Sequence, residues 1–292
     1  MDGNIWTLRD KGIAATIKAD GAELCSLKNA AGFELLWQAG PAWPRHAPLL
    51  FPIVGRLNQD ELRHDGRSWP MTQHGFARDL RFDWLARETR SCSLVLTDNG
   101  ETRKRYPFAF RLVVSFAVAS SDLDVTLDVT NTGEDMLPAS IGAHPAFNWP
   151  LLPSLAKEDY EIVFANDEPA PVRRLRGGLM RAAPEPSPVH GDSLPLSARL
   201  FDDDAVIFDR LASTSVRYQA AHGPSIEIAW DGFQELGIWS KPEGAAFICI
   251  EPWRGFASPE AFSGDFTHKP GLMHIAPAET RRLAYRMAIR GT

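Results

Sequence analysis

Three short stretches place titratable side chains in apolar or glycine-rich surroundings. His144 lies in GAHPAF, and Glu251 directly follows the apolar run Phe-Ile-Cys-Ile in FICIEPWRGF. His74 lies in TQHGFAR, beside a glycine and four residues before Arg78. Carboxylic acids and imidazoles are the side chains that commonly exchange protons with a substrate near neutral pH. The pattern therefore indicates acid–base chemistry, provided that the fold brings these stretches together.

Each stretch also has a purely structural interpretation. Glu251 at the end of an apolar strand can be a salt-bridge partner, because burial of an unpaired carboxylate is unfavourable and raises its pKa. His144 and His74 can be histidines satisfied in the core or in a turn, and Arg56, which ends the apolar run FPIVGRL, can be a surface arginine. The residues alone leave both interpretations open.

Aromatic side chains accompany these polar residues. Trp37, Trp149, Trp239 and Trp253 lie near the three stretches or at the ends of predicted strands. Flat rings beside polar groups suit a sugar, which has an apolar C–H face and a rim of hydroxyls. The same rings can equally belong to the core.

Composition excludes several classes of function. The 292 residues are 44% hydrophobic and 23% charged with a net charge of −6, which argues against a nucleic-acid partner. Cys25, Cys92 and Cys249 are widely spaced, so neither a disulfide framework nor a zinc knuckle is expected. No signal peptide or membrane span is visible in the pattern. We expect a cytoplasmic protein without a metal.

Alternation of apolar and polar residues dominates the chain. DLDVTLDVTN (122–131) and TRRLAYRMAIR (280–290) have the period of two that is typical of half-buried strands, and similar runs recur along the sequence. Helical signals are short: a turn capped by Asp98 or Asn99, and one turn in SPEAFS with Ser258 as cap. The Pro-, Gly- and Arg-rich stretch 166–198 is predicted to be a surface excursion. The sequence predicts one all-β domain over residues 1–292, a large antiparallel β-sandwich with few short helices.

The motifs FPIVGRL, HGFAR, GAHPAFNWP and CIEPWRGF occur in an order and at spacings that resemble the aldose 1-epimerases, in particular their LacX-like branch. The resemblance covers nearly the whole chain. It implies a galactose mutarotase-like supersandwich with an open cleft on one sheet. Members of that family interconvert the α and β anomers of free aldoses without a cofactor.

The resemblance also implies roles for particular residues. Glu251 corresponds to the general base and His144 to the general acid of the family. His74 and Arg56 correspond to a histidine and an arginine of the cleft, and Asp204, within the run Asp202–Asp204, to an aspartate that contacts sugar hydroxyls.

Arg78 and Trp239 complete the expected substrate-binding residues. Relatives often have Ala-Asp where this chain has Ala257-Ser258, so the edge of the site is expected to differ. The expected partner is a small sugar, and the expected assembly is a monomer or a homodimer.

Several rival functions remain open on the sequence. One is a mutarotase for hexose 6-phosphates, with Arg78, Arg45 and Arg56 around the phosphate. Another is a carbohydrate-binding or sugar-sensing protein without catalysis. Glycoside hydrolysis requires a second carboxylate, for which the sequence offers only the run Asp202–Asp204. A metal held by His74, His144 and Glu251 has no supporting ligand motif.

Overall fold

The computed structural model describes residues 3–242 and 244–291, which form short strands connected by turns. The first twelve strands are β1 Ile5–Asp10, β2 Ile13–Lys18, β3 Glu23–Asn29, β4 Leu49–Leu50, β5 Glu61–His64, β6 Arg67–Pro70, β7 Asp83–Arg87, β8 Ser91–Thr97, β9 Phe110–Ala119, β10 Asp122–Asn131, β11 Leu137–Ala139 and β12 Ile141–Ala143. The others are β13 Ala146–Asn148, β14 Tyr160–Phe164, β15 Leu175–Arg176, β16 Leu179–Met180, β17 Ser193–Pro195, β18 Val206–Phe208, β19 Ser215–Ala220, β20 Ser225–Asp231, β21 Glu235–Trp239, β22 Phe247–Arg254, β23 Met273–Ile275 and β24 Thr280–Arg290.

Helical structure is confined to single turns. The α-helix α1, Gly100–Arg103, begins after Asn99, whose side chain accepts hydrogen bonds from the backbone N–H groups of Glu101 and Thr102. The 3-10 turns are Asn58–Asp60, Ala77–Asp79, Lys157–Asp159, Ala198–Phe201 and Phe266–His268. Within the described parts of the chain, no helix is long and apolar enough to cross a membrane.

The predicted turn in SPEAFS forms as a single hydrogen-bonded turn, in which the backbone N–H of Phe262 donates to the carbonyl of Pro259 at 3.0 Å, but it is not helical. Pro259 also forms a bridge with Met180, and the backbone N–H of Met180 donates to the carbonyl of Ser258 at 2.9 Å. The segment is therefore held extended at its start by the neighbouring strand β16.

A nine-stranded antiparallel sheet, in the order β17-β14-β19-β20-β24-β10-β9-β8-β7, forms one layer. The residues of β10 alternate between buried and half-buried, as its sequence predicts. A second sheet, in the order β18-β21-β22-β12-β4 with β13 also paired to β22, contributes Ile248 and Ile250 to the same apolar core as Leu123 and Leu127 of β10. The prediction of a large antiparallel β-sandwich is thus confirmed.

Smaller sheets, β1-β2-β3, β5-β6, β11-β23 and β15-β16, surround these two layers. The core cluster extends along the chain from Leu8 to Ile289. That residues 1–292 form one domain stays a prediction.

The excursion 166–198 does contain strands, and its hairpin β15-β16 reaches the cavity described below.

Candidate active site

Strand β22 separates the core from a cavity because its side chains alternate between two faces. Ile248 and Ile250 pack in the main core, whereas Cys249 and Trp253 belong to two smaller apolar clusters on the opposite side. Glu251 shares that opposite face by the period of two. Its side chain is 1% exposed, so the carboxyl group lies in the wall of the cavity and not in bulk water.

His144 is held opposite this carboxyl group by the strands on either side of it. Gly142 of β12 pairs with Trp253, and Ala146 of β13 pairs with Cys249, so the intervening histidine must lie beside Glu251. The distance between Nε2 of His144 and Oε2 of Glu251 is 3.2 Å. Two motifs more than a hundred residues apart therefore meet at hydrogen-bond distance.

Burial shifts both groups of this pair toward their neutral forms. Desolvation raises the pKa of Glu251 well above its ordinary value, and the charge of Asp204 acts in the same direction. Desolvation, with the nearby Arg78 guanidinium, lowers the pKa of His144. Across the 3.2 Å contact a proton can pass between the two groups, so they titrate as a pair.

Indole rings fix the orientation of the pair. Nε1–H of Trp253 donates to Oε2 of Glu251 at 3.2 Å. The six-membered ring of Trp253 packs against Gly237, where a Cβ atom would lie only 2.5 Å from the ring. The ring of Trp43 stacks on His144 with a centroid separation of 5.0 Å. Trp239 meets the edge of His144 at 5.9 Å.

His74 presents a neutral hydrogen-bond donor near the pair. Its Nδ1 accepts the backbone N–H of Gly55 at 3.1 Å, so the proton resides on Nε2. Burial and the neighbouring His144 lower the pKa of His74, which keeps the ring uncharged. The two imidazole rings lie edge to face, with centroids 5.6 Å apart.

The arginine of the cavity is Arg78 and not Arg56. Arg78 lies on the turn Ala77–Asp79, lines the cavity and donates to the carbonyl of Gln73 at 2.7 Å. Burial and the positive charge of Arg45 lower the pKa of Arg78 to about 10. The guanidinium of Arg56 instead binds Asp60 through two contacts of 2.6 Å, so Arg56 does not line the cavity.

Asp204 is the one residue of the run Asp202–Asp204 that lines the cavity. Its φ angle is +68°, and its carboxylate accepts the backbone N–H of Ala205 at 2.8 Å. Asp203 instead faces Arg181, at 3.4 Å. Asp204 therefore lies on the wall of the cavity that Glu251 also lines.

The cavity has a volume of about 260 Å³, close to the lower end of the ~300–1,000 Å³ range of small-molecule sites. Its walls combine indole rings, the acid–base pair, one arginine and small apolar residues. The lining residues are Trp43, Gly55, Gln73, His74, Arg78, His144, Leu175, Asp204, Ala205, Ile207, Trp239, Glu251, Trp253 and Ala257. A molecule the size of a monosaccharide fits such a space.

Sequence reasoning missed Trp43, Gln73 and Leu175. Trp43 lies in QAGPAWPRHAP, where three prolines and a glycine hide any periodic pattern. Leu175 lies in the excursion 166–198, which was predicted only to be surface. Of the tryptophans singled out on the sequence, Trp239 and Trp253 line the cavity, whereas Trp149 is buried in the main core.

One group of side chains that could bind a metal ion includes the acid–base pair. The ligand atoms of His144, Cys249 and Glu251 are within 4.8 Å of one another, so the third member is Cys249 and not His74. Burial raises the pKa of the Cys249 thiol, so a bound metal would have to displace its proton. Proton exchange between Glu251 and His144 requires no such ion.

The fold and the cavity define a class of protein: a β-sandwich whose cleft holds a buried carboxyl–imidazole pair beside aromatic rings. The chain belongs to the aldose 1-epimerase family, whose model matches residues 4–267. The LacX protein of Lactococcus lactis subsp. lactis is 31% identical over 293 residues, which cover 97% of this chain and 98% of that protein.

Solved structures agree with this assignment. A galactose mutarotase related enzyme from Lactobacillus acidophilus has a TM-score of 0.91 and 32% identity, over 99% of this chain and 98% of the other. A galactose mutarotase-like protein from Lactobacillus casei has a TM-score of 0.91 and 31% identity, over 98% and 100% of the chains. The resemblance inferred from the four motifs is thereby confirmed.

Proposed function

We propose that the protein is an aldose 1-epimerase that interconverts the α and β anomers of a free aldohexose. The observation that carries this proposal is the 3.2 Å contact between Glu251 and His144 in the wall of a cavity of monosaccharide size. Anomer exchange requires proton movements at two oxygens that are both bonded to C1, the anomeric hydroxyl and the ring oxygen. An acid and a base that serve neighbouring oxygens must themselves be neighbours.

In the proposed mechanism Glu251 accepts the proton of the anomeric hydroxyl while the imidazolium of His144 donates a proton to the ring oxygen. The C1–O5 bond breaks and the free aldehyde forms. Rotation about C1–C2 presents the other face of the carbonyl, and closure reverses the proton transfers. The pair begins and ends each cycle with one proton, so no water or buffer has to restore it. Each positioned proton-transfer group typically contributes about 10²–10⁴-fold to the rate.

The surrounding residues have supporting roles in this proposal. The N–H of Trp253 stabilises the carboxylate form of Glu251, which burial alone disfavours. Nε2–H of His74 and the guanidinium of Arg78 donate to sugar oxygens and retain the open-chain form. Asp204 accepts from sugar hydroxyls, and Trp239 supplies an apolar face.

One observation favours a second substrate class, a hexose 6-phosphate. The Nε–H of Arg78 is buried and has no hydrogen-bond partner among the described residues; its nearest acid, Asp79, lies 3.9 Å away. A phosphate would satisfy this group. Arg45 binds Asp79 and does not line the cavity, so among the described residues Arg78 is the one arginine available to a phosphate. We rank the free sugar first for that reason.

The experiment that tests the proposal is NMR exchange between the anomers of glucose, galactose and glucose 6-phosphate, with and without the protein. We expect faster exchange with wild type, and a higher kcat/KM for a free sugar than for the phosphate. A protein that binds the sugars but leaves their exchange rate unchanged is a carbohydrate-binding protein, and the proposal then fails. The cytoplasm is the proposed location, and a sugar is the proposed partner.

A further inference from the structure

Arg56 contacts a hairpin that forms one wall of the cavity. The hairpin, formed by β15, β16 and the turn Gly177–Gly178, presents Leu175 to the cavity. Nη1 of Arg56 donates to the carbonyl of Gly177 at 3.2 Å. A Cβ at Gly178, where φ is +81°, would lie 3.1 Å from Cδ of Arg56, so the turn packs closely on the arginine stem. The tip of the hairpin therefore lies directly on Arg56.

The guanidinium is held in place for this contact. Its Nε and Nη2 each lie 2.6 Å from a carboxylate oxygen of Asp60, which leaves Nη1 to reach the hairpin. Gln59 and Asp60 both have positive φ angles, of 60° and 57°, and this turn folds the carboxylate back onto Arg56. Residues other than glycine rarely adopt such angles, and where they do the conformation often serves a site.

The hairpin has other attachments: the side chain of Arg176, beside the turn, pairs with Glu260 at 3.3 Å, and backbone hydrogen bonds hold the base. The backbones of Arg173 and Ile207 exchange hydrogen bonds of 2.7 and 3.1 Å before the hairpin begins. The N–H of Met180 donates to Ser258, and the N–H of Ser258 donates to the carbonyl of Arg56, both at 2.9 Å. Among the described residues, the side chain of Arg56 supplies the hydrogen bond that holds the tip.

We propose that Arg56 is a positioning residue that fixes the hairpin β15-β16 as a wall of the sugar site, and that it does not touch the sugar. This inference rests on the proposed function for its kinetic consequence. When Arg56 is lost, the hairpin populates positions in which Leu175 leaves the cavity, and the apparent affinity falls by the fraction of molecules that remain closed. Chemistry at Glu251 and His144 is unaffected once the sugar is bound.

The test combines hydrogen–deuterium exchange with steady-state kinetics on Arg56→Ala. We expect faster exchange at the amides of residues 175–180, and a KM about three- to tenfold higher with kcat retained. Arg56→Lys should give a smaller change because the ammonium keeps its pairing with Asp60. Arg103→Ala is the matched control: Arg103 is similarly exposed, pairs with Asp98, donates to the carbonyl of Pro107 and does not line the cavity. It should change neither quantity.

The two readouts separate this inference from the proposed function. If the exchange of the hairpin accelerates in Arg56→Ala but wild type does not accelerate anomer exchange, the contact of Arg56 with the hairpin is upheld and the proposed function fails. If KM rises while hairpin exchange is unchanged, Arg56 binds the sugar directly and the inference is overturned. A fall in kcat at constant KM also overturns it.

Discussion

The hydrogen bond from Trp253 to Glu251 provides a sensitive test of how the carboxylate is stabilised. Trp253→Phe removes the donor 3.2 Å from Oε2 and keeps an aromatic ring at this position. A hydrogen bond to a charged group contributes about 1.5–3 kcal/mol. Because this donor stabilises only the carboxylate form, its removal should raise the pKa of Glu251 further.

The kinetic consequence follows from the loss of the carboxylate form. The fraction of ionised Glu251 falls by about 10- to 100-fold, and a more basic carboxylate recovers part of this loss, so kcat should fall about tenfold. Polarimetry of freshly dissolved sugar measures the rate. Trp149→Phe is the control, because Nε1–H of Trp149 donates to the carbonyl of Lys157 at 2.9 Å in the core, away from the cavity. An unchanged kcat in a folded Trp253→Phe protein would refute the argument.

Further outcomes are expected. Gly55→Ala should lower the free energy of unfolding by about 2–4 kcal/mol in urea titrations, because φ is +73° and the new Cβ would lie 2.4 Å from that of Ala257; a loss below about 0.5 kcal/mol contradicts this. Burial lowers the pKa of His144 and raises that of Glu251. The plot of kcat/KM against pH should therefore stay flat as the pH falls below 6.5, and a decrease in kcat/KM centred at pH 6.5 would contradict this. Burial lowers the pKa of Lys269 from 10.5 to about 7. The contribution of this side chain to the free energy of unfolding is therefore complete above pH 10.5 and is lost as the pH falls through 7. Wild-type stability measured by chemical denaturation should therefore rise relative to Lys269→Met between pH 7 and 10, and a constant difference contradicts this.

Much of the fold was predictable because local pattern and tertiary burial agree. The alternation in DLDVTLDVTN fixes which face of β10 is buried, and the apolar run before Glu251 reflects a strand covered on both faces. The helix after Asn99 was also predictable, from its cap. The turn expected after Ser258 forms, with a hydrogen bond from the backbone N–H of Phe262 to the carbonyl of Pro259, but it is not helical, and Pro259 also bridges to Met180.

The site residues that lie on strands were predictable, and those that lie on loops were less so. Glu251 and His144 meet because β22 lies between β21 and the pair β12 and β13. Of the two arginines predicted for the cleft, Arg78 lines the cavity and Arg56 does not, and the turn that places Asp60 on Arg56 was not visible in the sequence. Trp43 was not predicted, because the Pro-rich loop in which it lies shows no periodic pattern of apolar residues.

The most direct test of the account is a double-mutant cycle on the acid–base pair. Anomer exchange is measured by NMR for wild type, Glu251→Gln, His144→Gln and the double variant, with sugar binding measured alongside. Because the two side chains share one proton across 3.2 Å, each single change should lower kcat by about 10²–10⁴-fold, and the double variant should lose little more than either single. Losses that multiply in the double variant would show that the two residues act independently, contrary to the account.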